Sequence, residues 1–470
     1  MRRTNYMKIE KDEVRRFIQV TYVLLIIGLL GLVLMALVFM LPTGRIRRHV
    51  EQSMLMLASE TDYFSVTPGI PGSQLDNYTE AAYINQALVN WKDASLFSCI
   101  LSGNYYQTSD QDVLPVENLL QVVNHDDDCE LIPRYCRFFN GYEVVVKPLF
   151  IITNYAGIRQ INLFLIFFLS VLLCVEMVKK GMKKYVLSAI ISFLFINPFS
   201  IALSMTFSGF YYCMIIPCLY ILMADKEKVK KYGWLLFEIT GACAFYFNMN
   251  YFQLLTFGIP LLYYYLVIGI PDKPAKLLKD ILLLFAPWCI GYAGMMVFKW
   301  AVYALLIDHN MFMEMYEKIV FRTGTIDGSR WSGLRVNLTR SLKNPWWDII
   351  ECVFVLYCLR NQITSVISKA SKFIAGRLKK KVDRSKPGLK TMAKAASFKL
   401  WVKEQMTSGT LFSEIILVAV FAIFPICRCL IFSNHVYIHN AFTYRLFMMP
   451  IMALNLFIAK VGSKNGVVIR

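Results

Sequence analysis

Apolar residues in this chain gather in continuous runs rather than alternating with polar ones. Ten runs stand out, at 18–42, 159–178, 185–205, 207–224, 234–248, 251–270, 281–306, 346–360, 409–431 and 444–460. Most are long enough to cross a hydrocarbon core as helices. They lack the two-residue period of a barrel strand, and in lipid only helices and closed barrels satisfy every backbone polar group. The predicted fold class is therefore an all-α polytopic membrane protein of about ten transmembrane helices. The Asn197-Pro198 pair makes the division between 185–205 and 207–224 the weakest boundary in the pattern.

The polar stretches between the runs set the organisation. A short N-terminus, 1–17, precedes helix 1 at 18–42, and residues 43–158 form a large loop domain. Helices 2–7 occupy 159–306, a second polar segment covers 307–345, and helix 8 spans 346–360. A basic segment, 361–408, precedes helices 9 and 10 at 409–460, and 461–470 is a tail. Within the loop domain the pattern predicts an α-rich cap, with helices near 45–60 and 79–91 separated by the Pro68-Gly69-Ile70-Pro71-Gly72 turn. A polar turn follows at His125–Asp128, and Tyr142–Ile152 leads into helix 2.

Charge supplies the orientation. Lys and Arg crowd every second connection: Arg2 to Arg16, Lys179–Lys184, Lys226–Lys231, Lys273–Lys279, and thirteen more over 360–405. By the positive-inside bias both termini and these connections are cytoplasmic, and 43–158, 307–345 and 432–443 face outward. The net charge of +18 records this asymmetry and not a nucleic-acid footprint. Residues Ile363, Val366, Ile367, Phe373 and Ile374 make the basic segment partly amphipathic, as for a helix lying on membrane lipids. Cys99, Cys129 and Cys136 lie on the outer side, where three thiols allow one disulfide, Cys129–Cys136 or a longer closure from Cys99.

Candidate chemistry concentrates on the outer face. Asp76 stands just before a predicted helix, where a carboxylate serves as a general base or, equally, as a helix N-cap. Glu51 follows the Arg45/Arg47/Arg48 cluster, where a solvated ion pair is the competing role. His435 and His439 share one helical face, but no HExxH glutamate accompanies them. Lys299 is costly inside an apolar run unless it has a partner or snorkels. With Arg322 and Arg445 it forms a set of cations suited to an anionic head group. Carboxylates are sparse within the runs, which argues against a proton-coupled transporter.

The run Ser433-Asn434-His435-Val436-Tyr437-Ile438-His439, continuing through Phe442-Thr443-Tyr444-Arg445, is similar to the NHSYIH…FTYR signature of a group of bacterial multi-span proteins from surface-polysaccharide clusters. That group resembles the GT-C superfamily of lipid-linked-sugar glycosyltransferases. The stretches His49–Ser53, Leu75–Ala81, Gly291-Tyr292-Ala293 and Lys299-Trp300 also match. The chain departs from the group at Phe139-Asn140-Gly141-Tyr142, where the group has Trp-His-Gly-Tyr, and at Tyr246-Phe247-Asn248, where it has Tyr-Phe-Asp.

The resemblance implies a GT-C-like architecture in a bacterial cytoplasmic membrane. It implies a polyprenyl-phosphate sugar as donor and a glycan or lipid-linked acceptor, with a site on the outer face and an acidic base in the first outer loop. Asp76, backed by Glu51, takes the base role. Arg322, Arg445 and Lys299 take the donor phosphate. His435, His439, Asn434, Tyr437, Asn140 and Asn248 hydrogen-bond sugar or phosphate. No residue set specifies a cofactor or metal ligands, and a divalent cation is left open. The competing expectations are a polysaccharide polymerase or ligase, and a lipid-linked-glycan transporter or non-catalytic assembly subunit.

Overall fold

The computed structural model describes residues 2–463 except 71, 111, 125–128, 248–250 and 383–408. It is mostly helical. Among the described residues, six helical segments are long and apolar enough to cross a membrane: Ile18–Phe39, Tyr155–Lys179, Met205–Met223, Pro274–Leu306, Leu411–Ile431 and Asn440–Gly462. Leu255–Ile268 is a shorter apolar helix. The run expected at 185–205 breaks in two: Lys183–Phe195 ends at Ile196, and a short helix, Pro198–Ala202, follows. Asn197 makes the break. It adopts a left-handed φ of 54° and caps the next helix through Ser200 N at 3.2 Å. Proline disfavours the helical conformation in the residue before it, so the chain turns where the sequence is ambiguous.

Close backbone contact fixes the centre of the bundle. Helix Lys226–Phe247 packs along Pro274–Leu306 with glycines at the crossing. A Cβ on Gly241 would collide with the Trp288 carbonyl, and one on Gly291 with the Glu238 carbonyl. Small residues let two helices approach in this way where no hydrophobic effect drives them together.

The segment 43–158 is an α-rich unit, as the polar pattern predicts, with a two-stranded antiparallel sheet the pattern did not reveal. Strand Asn104–Thr108 pairs with Cys129–Pro133, Tyr106 lying opposite Leu131. The helix expected at 45–60 is two helices, Thr43–Glu51 and Met54–Glu60, joined at Ser53. The Ser53 hydroxyl donates to His49 O and accepts from Tyr155 N at 2.9 Å, so the bend ties this unit to the start of the Tyr155–Lys179 helix. His49 Nδ1 lies 2.6 Å from Phe150 O and joins the first helix of this unit to its last, Glu143–Ile152. No two of Cys99, Cys129 and Cys136 join in a disulfide; Cys99 Sγ donates to Asn90 O and Cys136 Sγ sits 3.8 Å from Glu314.

Helix Asn77–Leu88 is the pivot of this unit. It is buried along nearly its whole length although it is polar. Most of its polar groups are met by other segments, as burial demands, though Gln86 Oε1 has no partner. Asn77 donates to Glu60 and to Thr61 O, Asn85 pairs with both backbone groups of Tyr106, and Gln86 donates to Gly103 O. Glu80 accepts from the Tyr155 hydroxyl, from Ser204 Oγ at 3.0 Å and from Thr206 N at 2.6 Å. The last contact sets a carboxylate on the first turn of the Met205–Met223 helix, where the helix dipole favours it. Beside it, Arg159 forms a buried ion pair with Glu60 at 2.7 Å.

Candidate active site

Asp76 takes the N-cap position the sequence allowed. It caps helix Asn77–Leu88 through Thr79 N, and its other oxygen accepts from the Tyr251 hydroxyl at 2.7 Å. Thr79 Oγ1 is 3.3 Å from the same hydroxyl. Asp76 is only 2% exposed. Burial pushes its pKa up to about 6, only partly offset by the hydrogen bonds from Tyr251 and Thr79, and nearby Glu80 raises it further. No cation is among its main perturbers. A carboxylate without a paired cation, poised near neutrality, has the properties of a general base.

Tyr251 connects Asp76 to the 432–443 segment. Its ring packs edge-on against His439, with centroids 5.5 Å apart, and His435 stacks 4.8 Å beyond. His439 sits at the joint between helices Ser433–Ile438 and Asn440–Thr443. Its Nε2 lies 3.1 Å from Arg322 Nη1. A guanidinium only donates, so Nε2 is the acceptor and His439 is neutral with its proton on Nδ1. Burial first, and then the positive charges of Arg322, Arg137 and Arg428, lower the His439 pKa to about 4. Burial, and then Arg137, also lower the pKa of Arg322. No carboxylate is among the groups that shift either residue, so this corner holds cationic groups facing one another. An anion would relieve that repulsion.

Asn434 positions Arg322. Its side-chain amide donates to Phe321 O at 2.7 Å and its backbone N–H to Gly324 O at 3.0 Å, clamping the end of helix Met311–Thr323. Its Oδ1 is buried with no hydrogen-bond partner, a free acceptor beside this corner. Tyr437 is half-buried and lines a separate outer cleft of about 770 Å³ with Asn440 and Arg340.

Other expected site residues lie elsewhere. Glu51 is exposed at the end of its helix and joins none of these hydrogen bonds. Lys299 is fully buried, donates to Leu101 O and rests against the Tyr303 ring, so its charge fastens the loop domain to helix Pro274–Leu306. Arg445 is also fully buried. It donates to Ile196 O at 2.9 Å, Gly72 O at 2.7 Å and Ser200 Oγ at 2.9 Å, behind the Phe207 ring that separates it from Tyr251. Three protein acceptors engage Nε and Nη2 of that guanidinium, and Nη1 is buried with no hydrogen-bond partner.

Asn140 adopts a left-handed φ of 56°, a conformation that asparagine tolerates better than most residues. Its amide donates to Tyr135 O and its Oδ1 is buried without a partner. Asn248 lies outside the described residues. Among the described residues, no group of three or more His, Cys, Asp or Glu side chains could hold a metal ion.

Tyr251 and Arg137 also reach this corner, and nothing in the sequence singled out either residue by itself. Tyr251 closes an aromatic run that reads as an interfacial belt. Arg137 lies in a mixed stretch of the loop domain, and its backbone carbonyl is held by Trp300 Nε1 at 3.1 Å. In comparisons with known proteins, no protein-family model, no curated protein and no solved structure matches the chain.

Proposed function

We propose that this protein is a membrane glycosyltransferase that moves a sugar from a polyprenyl-phosphate donor to a glycan or lipid-linked acceptor. The observation that carries this reading is the joining of a buried, unpaired Asp76 to the His439–Arg322 pair through one tyrosine. A proton acceptor and an anion-holding corner thereby meet from segments far apart in the chain.

In the proposed reaction Asp76 takes the proton of the acceptor hydroxyl, directly or through the Tyr251 hydroxyl. The acceptor oxygen attacks the anomeric carbon, and the bond from that carbon to the phosphate oxygen breaks with inversion. The leaving polyprenyl phosphate keeps the electron pair, and Arg322 and Arg137 stabilise its charge. A phosphate monoester is a weakly basic leaving group, so positioned cations suffice without a general acid. The buried Asn434 Oδ1 accepts a sugar hydroxyl. The same reading puts ten helices in a bacterial cytoplasmic membrane, both termini inside and the site outside, as the lysine distribution favours.

The test is reconstitution of the purified protein with a polyprenyl-phosphate sugar and a panel of glycan acceptors, following release of polyprenyl phosphate. The reading requires turnover in the wild type and its loss in Asp76→Asn. Equal turnover in both would remove Asp76 as the base. A wild type that binds the donor without ever turning it over would favour the transporter or assembly role.

A further inference from the structure

A second cavity lies at the opposite, lysine-rich end of the bundle. It encloses about 1090 Å³ between helix Lys226–Phe247, the end of Leu255–Ile268, the start of Pro274–Leu306 and Val20 of the first helix. Five lysines line its rim, at 226, 230, 231, 273 and 276, against two carboxylates, Asp272 and Asp280. Its wall is aliphatic, and Leu283 and Ile290 remain 52% and 40% exposed along the outside of the bundle. Trp234 stands between rim and wall. Tyr265 lines the same space, is 3% exposed, and its hydroxyl has no hydrogen-bond partner.

A row of snorkelling lysines accounts for the rim alone. It accounts neither for the enclosed volume beneath the rim nor for a buried hydroxyl left without a partner, which is costly unless something supplies one. A basic rim, a tryptophan, a lone hydroxyl and an aliphatic wall are together the groups that suit a phospholipid's phosphate, glycerol ester and acyl chains.

We propose that this cavity binds one anionic phospholipid. Its phosphate sits among Lys230, Lys273 and Lys276, an ester carbonyl accepts from Tyr265, and its chains lie along Leu283 and Ile290. The site is independent of the outer-face chemistry, and the bound lipid joins the first helix, the 224–231 turn and the 269–274 connection at one point.

Native mass spectrometry of the full chain, purified in detergent and titrated with phosphatidylglycerol or phosphatidylcholine of equal chain length, tests this. The wild type should retain one phosphatidylglycerol at least about tenfold more tightly than phosphatidylcholine. The triple variant Lys230→Gln, Lys273→Gln, Lys276→Gln should lose that preference, and Tyr265→Phe should weaken retention several-fold. All three lysines are solvent-exposed, so these changes spare the fold, and Lys273→Glu alone should act in the same direction. The control removes equal charge from another basic turn at the same end: Lys180→Gln, Lys183→Gln, Lys184→Gln. An equal loss in the control would reduce the effect to diffuse attraction and overturn the site. Displacement of the lipid by equimolar glycerol phosphate would overturn the role of the acyl chains. No preference in the wild type would end the proposal.

Discussion

At the residue scale, Asp76 shows how one side chain combines a structural and a chemical role. Its cap to Thr79 N survives replacement by asparagine, a comparably good N-cap. Its raised pKa means that the folded protein binds this proton more tightly than the unfolded chain does. The associated stability is full below pH 4 and is lost as pH rises through about 6. Asp76→Asn should therefore fold, melt no lower than wild type at pH 7, and gain of the order of 1–3 kcal/mol there. Its turnover should fall by about 10²–10⁴-fold, and the wild-type kcat/KM should decline below an apparent pKa near 6. A mutant that loses stability and activity together would mean the cap was its whole contribution.

His439 titrates with the opposite sign. Its depressed pKa contributes stability above pH 6.5 that is lost as pH falls toward 4. An anion bound beside Arg322 would raise that pKa, so donor binding near pH 5.5 should take up protons. Calorimetry in buffers of different ionisation enthalpy would detect the uptake, and Arg322→Ala should abolish it. Arg445→Ala, by contrast, should reduce folded yield and lower the Tm without a selective rise in donor KM, because its contacts are all internal.

Among the elements, the buried polar helix Asn77–Leu88 and the paired helices around Gly241 and Gly291 carry most of the architecture. Gly241→Ala and Gly291→Ala each place a methyl against backbone, which cannot move aside as a side chain tip can. Each should cost about 1–3 kcal/mol and lower the Tm of the purified protein in detergent. Helix Glu143–Ile152 offers a second test. Glu143 and Lys147 are fully buried one turn apart, and burial raises the pKa of the first and lowers that of the second. Lys147 donates to Val89 O, while both Glu143 oxygens lack hydrogen-bond partners. Lys147→Met alone should destabilise markedly, and adding Glu143→Gln should restore much of the loss, as expected when one change strands a buried charge and the other neutralises it. A thermal-melt double-mutant cycle showing additivity would exclude coupling within the pair.

Over the whole molecule, hydrophobic runs of sufficient length specify membrane helices because lipid admits no other open backbone. That character and the approximate ends of most helices were legible for that reason. Single-cysteine labelling at Ser59 and at Lys183 should report opposite sides of an intact membrane if the lysine bias sets the orientation. Periodicity could not resolve the break at Asn197 or the hairpin of 104–108 with 129–133, since short elements carry too few repeats. The residue types of the site were also legible, and Asp76, Arg322, His435 and His439 do gather in one place. Spacing could not tell which cations the fold holds by its own carbonyls. Lys299 and Arg445 are the same chemical types as Arg322, yet both donate to backbone carbonyls within the fold, with Arg445 Nη1 left without a partner. Tyr251 and Arg137 enter the site only through contacts between segments more than 100 residues apart. By itself, then, the sequence determined the solvent each stretch can live in and where its ionisable groups fall along the chain. Only the tertiary structure decided which of those groups are buried together, and a group's protonation and partners depend on that burial.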